Sequence, residues 1–163
     1  MDLASIPAEE VQASFRAAMR RYASTVTIVT AADGSRSHGM TMTAVSSLSM
    51  TPPSMIVCVN QSTYLHEILL SAKRFCVNVL RQDQSDVSTA FSGALPSGQR
   101  FSVGDWRQGG DDLHYLHDAQ ANVFCKKVAA IPFGTHTIFV GTAERVLLSD
   151  DSKPLLYHNA SYC

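Results

Sequence analysis

The sequence is poor in the features that usually announce a function. Its four cysteines, Cys58, Cys76, Cys125 and Cys163, form no CxxC pair, which removes the zinc-knuckle and thioredoxin-type redox classes. Neither GxGxxG nor a GxxxxGKS/T run occurs, so any nucleotide must be held by something other than a glycine-rich loop. No stretch approaches the roughly 18 uncharged apolar residues that span a bilayer, and the start MDLASIPAEE is too polar and acidic for a signal peptide. A soluble cytoplasmic protein with no membrane partner is expected. An excess of one charge is also missing: 13 Lys+Arg against 14 Asp+Glu leave a formal net charge of -1, which gives nucleic acid no electrostatic footing.

What remains is a chain of 163 residues, 45% hydrophobic and 17% charged, suited to one compact domain over 1–163. Val11, Phe15, Met19 and Tyr22 recur at helical spacing behind Ser5, Pro7, Glu9 and Glu10, which predicts an amphipathic helix over 8–22. STVTIVTAA, a break at Asp33-Gly34, and HGMTMTAVSSLSM read as a hairpin whose second strand runs to Met50. The apolar runs SMIVCVN and RFCVNVL predict strands covered on both faces, with Cys58 and Cys76 as buried small hydrophobes. Between them TYLHEILLSAK places Leu65, Ile68, Leu69 and Ala72 on one face of a short helix. Residues 82–92 suggest another short helix, and 92–112 a long surface loop. ANVFCKKVAAI and THTIFVGTAERVLL are strand-like, and the whole reads as mainly β, an antiparallel barrel with a few flanking helices.

Three places could carry chemistry. In 38–50 the alternation sorts Met40, Met42, Ala44, Leu48 and Met50 from Thr41, Thr43, Ser47 and Ser49. A hydroxyl face beside methionine suits either solvent or a flat heterocycle with a polar edge. Asn60, Ser62 and Thr63 precede a helix, where Ser62 or Thr63 could cap the N-terminal amides or those amides could bind phosphate. His136 shares strand phase with Ile138 and Val140 and is expected on a mainly apolar face, as a core histidine or a site residue. His114 and His117, beside Asp111, Asp112 and Asp118, have metal-like spacing, but a polar loop without a further ligand set argues for no metal.

HGMTMTAVSSLSMTPPSMIVCVN, FCVNVL, the RF and W of RFSVGDW, GTHTIFVG and the terminal PLLYHNASY together resemble the short-chain flavin reductases of two-component monooxygenases, in order and spacing across nearly the whole chain. The resemblance implies an FMN-binding split β-barrel, a homodimer with its sites at the subunit interface, and reduction of FMN or FAD by NADH, with NADPH as the alternative donor. By the same resemblance Thr41, Met42, Thr43, Ala44, Val45 and Ser46, with Ser47 close by, hold the flavin ring edge and ribityl chain. Asn60, Gln61, Ser62 and Thr63 match the phosphate loop, Phe91 a residue near the flavin, and Tyr162 an aromatic by the nicotinamide pocket. His136 takes the catalytic position on the nicotinamide side.

The chain departs from many relatives at Thr43, where they carry Asn, and at Ser62 and Tyr64, where they carry Lys or Arg. Phosphate would then rely on amides and hydroxyls. The implied reaction is hydride transfer from NADH to flavin N5, with the reduced flavin passing to a flavin-dependent monooxygenase component. Two other readings stay open: a non-catalytic flavin carrier or redox sensor, and a split-barrel oxidase with its own organic substrate, which would favour a more basic phosphate site.

Overall fold

In a computed structural model the described residues are 6–150 and 153–163. Ser5, read above as part of a helix start, lies outside them. The elements in order are α1 (Ala8–Arg20), β1 (Ser24–Thr25), β2 (Thr27–Ala32), β3 (Ser37–Met42), β4 (Val45–Met50), β5 (Pro53–Asn60), α2 (Tyr64–Ser71), β6 (Arg74–Val79), α3 (Ser85–Thr89), β7 (Trp106–Gln108), β8 (His114–Leu116), β9 (Ala121–Phe133), β10 (His136–Leu148), β11 (Leu156–His158) and β12 (Ser161–Tyr162). No helix among the described residues is long and apolar enough to cross a membrane.

Seven strands form one antiparallel sheet in the order β3-β2-β6-β9-β10-β5-β4. Its two outermost strands are consecutive in the chain, joined only by Thr43 and Ala44. Laid flat, seven strands would hold their edges about 29 Å apart, whereas the backbone from Met42 to Val45 reaches at most about 11 Å. The sheet must therefore curl until β3 and β4 meet, which makes a barrel with a seam. The expected single strand from His38 to Met50 is thus two strands at the two ends of the sheet. At the break Val45 N donates to Thr43 O (2.9 Å), a three-residue turn that needs neither Gly nor Pro.

One core cluster draws on all seven strands and is the barrel interior: Val29, Met42, Val57, Phe75, Val77, Cys125 and Phe139 meet Leu65, Ile68 and Leu69 of α2, with Val45 packed against them. Each fully buried side chain of this size contributes about 1.5–3 kcal/mol. Gly141 allows the Phe75 ring to occupy the place of its missing Cβ. A second cluster, including Ile28, Leu80, Phe91, Leu116 and Leu155, covers the outer face of β2. There Asn78 is buried and bonded at both ends of its amide: Oδ1 accepts from Leu116 N and Asn122 Nδ2, both at 2.9 Å, and Nδ2 donates to Ile28 O at 2.8 Å.

Three further expectations need correction. Residues 92–112 are not a plain surface loop, because Phe101 and Trp106 pack against the second cluster and the segment contains β7 and a 3-10 turn at Ser97–Ser102. β6 is covered on both faces, but Ile56 and Cys58 of β5 are only half-buried. The helix over 8–22 is present as α1, ending at Arg20, yet none of its residues is buried, so among the described residues its apolar stripe is not packed into a core.

Candidate functional site

The seam presents Thr43, Ala44, Ser46 and Ser47 to solvent, with Met42 buried and Val45 half-buried behind them. The backbone here is fixed from both sides: Thr27 Oγ1 donates to Met42 O (2.8 Å), and Cys58 N donates to Ala44 O (2.9 Å). Thr41 turns its hydroxyl to Ser88 O at 2.6 Å. The result is a polar rim of hydroxyls and peptide groups over an apolar floor.

The sheet carries the other candidates to this rim. β5 lies between β4 and β10, with Cys58 opposite Ile138 and Asn60 opposite His136. At the end of β5, Asn60 Oδ1 accepts from Ser62 N and Ser62 Oγ, both at 2.9 Å, and Thr63 Oγ1 donates to Asn60 O at 2.8 Å. Thr63 is the N-cap of α2, its hydroxyl accepting from His66 N at 3.4 Å. Gln61 ties this loop to β10, its N donating to Thr135 O (2.9 Å) and its Nε2 to His136 O (3.1 Å). The loop is thus held by its own side chains, with the positive end of α2 behind it.

His136 is not on the core face. Thr137, Phe139 and Gly141 point inward, while His136 is exposed and its Nδ1 lies 2.9 Å from Thr135 Oγ1. Periodicity selects a phase but not which of two apolar phases packs, and the Phe75 ring over Gly141 decides it. Tyr162 reaches the seam indirectly: its OH is 2.9 Å from Oγ of the buried Ser88, whose carbonyl holds Thr41. Ser88 had no signal in the sequence, since a lone serine in a short helix is indistinguishable from many others.

Phe91 stands apart. Its ring is fully buried against Trp106 (4.8 Å) and Phe101 (5.2 Å), and an added Cβ at Gly39 would lie 2.7 Å from its Cε1. Its side chain has no surface to offer a ligand. His114 is likewise engaged in packing, stacked on Phe101 at 4.4 Å with Nδ1 2.8 Å from Ser37 Oγ.

A cavity of about 330 Å³ opens beside Thr43, lined among others by Arg16, Arg20, Tyr22 and Tyr157. Sequence reasoning missed these residues because the cavity exists only once α1 and the C-terminal hairpin are placed. A larger one, about 400 Å³, lies between the Asp33-Gly34 turn and Ser71–Arg74 and contains none of the candidate residues, so size alone does not mark the site. No carboxylate belongs to the gathered set, and His136 is its one imidazole. Such a set suits binding and orienting a ligand, and it lacks the paired acids of hydrolytic chemistry.

The chain is 48% identical over 163 residues to the reductase component of FADH(2)-dependent resorcinol hydroxylase from Rhizobium sp. (strain MTP-10005), covering 99% of this chain and 91% of that protein. It is 30% identical to the 4-hydroxyphenylacetate 3-monooxygenase reductase component of Pseudomonas aeruginosa, covering 94% of this chain and 92% of the relative. Among solved structures, the NADH:FAD oxidoreductase SgcE6 of Streptomyces globisporus C-1027, in complex with NAD and FAD fragments, superposes with a TM-score of 0.88 at 25% identity, covering 98% of this chain and 96% of that one. Residues 19–163 match the flavin reductase like domain, and the chain belongs to that family.

Proposed function

We propose that this chain is an NADH-dependent flavin reductase that takes free flavin as substrate and hands the reduced form to a separate hydroxylase. The observation that carries the reading is the convergence of the seam, the Asn60–Thr63 loop and His136 on adjoining strands β4, β5 and β10. A flavin fits these residues: an apolar floor at Met42 and Val45 for the ring, hydroxyls and peptide groups for its edge, and a helix N-terminus for its phosphate.

When bound, the flavin accepts at N5 the hydride that leaves nicotinamide C4, so both electrons move with one hydrogen and no acid or base is obligatory. The protein's share is orientation. Thr43, Ala44 and Ser47 offer hydroxyl and peptide donors to the ring edge, where negative charge accumulates on reduction, while the Thr41 and Ser46 hydroxyls brace the rim by donating to Ser88 O and Ser47 O. Asn60, Gln61, Ser62 and Thr63 seat the phosphate end. His136, exposed and held by Thr135, meets the nicotinamide side, with Tyr162 bracing the seam through Ser88. Phe91 supports β3 from beneath, not from within the site.

FAD is the preferred flavin and a phenol hydroxylase of the resorcinol type the recipient, a reading supported by the 48% identical relative. The working unit is a homodimer: Met50, Phe133 and Leu148 are at least 80% exposed, as expected of surface that a second copy covers. The test is anaerobic loss of NADH absorbance on mixing protein with NADH and excess FAD or FMN. Many turnovers per chain, faster with FAD, are expected. Flavin binding without NADH consumption would replace the reductase by a carrier or sensor.

A further inference from the structure

The Asn60–Thr63 loop contains no cation, and Tyr64 follows it, yet the fold sets Arg36 over the Tyr64 ring and Arg100 against His38, whose own ring meets Tyr64. Arg36 stands over the Tyr64 ring at 5.7 Å but is already neutralised: Asp33 Oδ2 takes its Nε (2.9 Å) and Nη2 (2.6 Å), and Glu67 lies 3.6 Å from Nη1. Arg100 is different. Its Nε donates to Leu95 O at 3.1 Å, and its Nη1 donates to Gly39 O at 3.1 Å and to His38 Nε2 at 3.2 Å.

All three acceptors are neutral. Arg100 has only protons to give, so His38 must offer the Nε2 lone pair and carry its own proton on Nδ1. Burial, and then the Arg100 charge, keep His38 in that neutral form by pushing its pKa down to about 4. No carboxylate pairs with Arg100 among the described residues. The three bonds use every N–H of Nε and Nη1, leaving the two of Nη2 free of partners among the described residues. A half-buried guanidinium fixed by neutral groups and left uncompensated is costly unless an anion completes it.

Its position names the anion. Gly39 lies two residues before Thr41 of the seam, and the His38 ring meets the Tyr64 ring edge-on at 5.1 Å, one residue beyond the Thr63 cap. We propose that Arg100 completes the anion subsite at the start of α2, giving its free guanidinium edge to the phosphate of the flavin nucleotide whose ring lies at the seam. This rests on the flavin reading above and replaces the expectation that amides and hydroxyls act alone. The loop lost its cation in sequence, and the Ser97–Ser102 turn supplies one from 36 residues further along (100 against 64).

The test compares FMN with riboflavin, which has the same ring and ribityl chain but no phosphate. Equilibrium titration by flavin fluorescence should show Arg100→Gln weakening FMN by about 10- to 100-fold while riboflavin changes less than about twofold. Arg100→Lys, which keeps the charge and loses the fork, should fall between. Equal losses of FMN and riboflavin would make Arg100 a brace for β3 and overturn the proposal. Should Arg100→Gln fail to fold, the unaltered chain decides with Arg100→Lys: FMN must bind at least about tenfold tighter than riboflavin, and the lysine variant must narrow that ratio. The titration contains no NADH, so failure of the reductase reading, seen as flavin binding without turnover, is a separate result.

Discussion

His66 Nε2 lies 2.9 Å from Thr137 Oγ1, a buried polar pair that joins α2 to the β10 residue beside His136. The imidazole also meets Phe139 edge-on at 5.6 Å. Through this pair the Thr63 cap and His136 are set at a fixed spacing across the barrel end. Thr137→Val removes the hydroxyl and leaves an imidazole nitrogen orphaned in the core, so a loss of about 1–3 kcal/mol is expected in urea denaturation. An unchanged midpoint would show that the pair does not fasten α2.

Gly39→Ala should destabilise by about 1–3 kcal/mol, because the new methyl would sit 2.7 Å from Phe91 Cε1 and 3.1 Å from Thr30 Cγ2. Phe91→Leu opens that space, and in a double-mutant cycle the combined loss should be smaller than the sum of the single losses. Strict additivity would mean the two sites do not press on one another.

Asn78→Ala leaves Leu116 N–H and Ile28 C=O without their buried partner and frees an Asn122 N–H. A cost of about 3 kcal/mol or more, read as a lowered thermal midpoint, is expected. A shift within error would contradict the role of Asn78 in holding β8 against β2.

Acid should weaken the fold already between pH 6.5 and 4. His38 has its pKa pushed from 6.5 to about 4, so between those values the unfolded chain binds the additional proton. Stability is then fully present above about pH 6.5 and falls as pH drops toward 4, by about 3 kcal/mol in all. Asp33, held well below the usual carboxylate range chiefly by Arg36, adds its loss only at more acid pH. Urea midpoints at pH 7, 5.5 and 4.5 test the slope, which His38→Gln should flatten.

Burial pushes the Cys125 thiol up to about 12, with the Glu144 charge adding to it, and raises Cys76 and Cys58 as well. Cys163 is exposed. A disulfide reagent at pH 8 should modify Cys163 first and reach Cys76 and Cys125 only in denaturant. Rapid labelling of all four in the native protein would contradict the packing described.

Much of this was legible in the sequence, and the limits have physical causes. The Asp33-Gly34 turn, α2 and the paired strands β9 and β10 follow from turn chemistry and periodicity, since local pattern and tertiary burial agree there. The break at Thr43-Ala44 does not, because every residue from Met42 to Val45 tolerates extended backbone and only barrel closure demands a corner. Phe101 and Trp106 were hidden by the Gly- and Ser-rich residues around them. The Thr63 cap follows from N-cap chemistry ahead of an apolar helical run, whereas the grouping of the seam residues as one site rests on the family resemblance. Arg100 was not legible, because its relation to the loop is made by three acceptors from β3 and Leu95, with no trace in spacing.

Joining the first and last strands through two residues has a cost at β4. That strand pairs with β5 on one side only, and its Ser46, Ser47, Leu48 and Met50 are exposed. A bare backbone edge carrying Leu and Met is a template on which further strands can add without limit. Whatever covers β4 in solution therefore also guards against polymerisation, and dilution or surface mutations that strip the cover should give turbidity before they give unfolding.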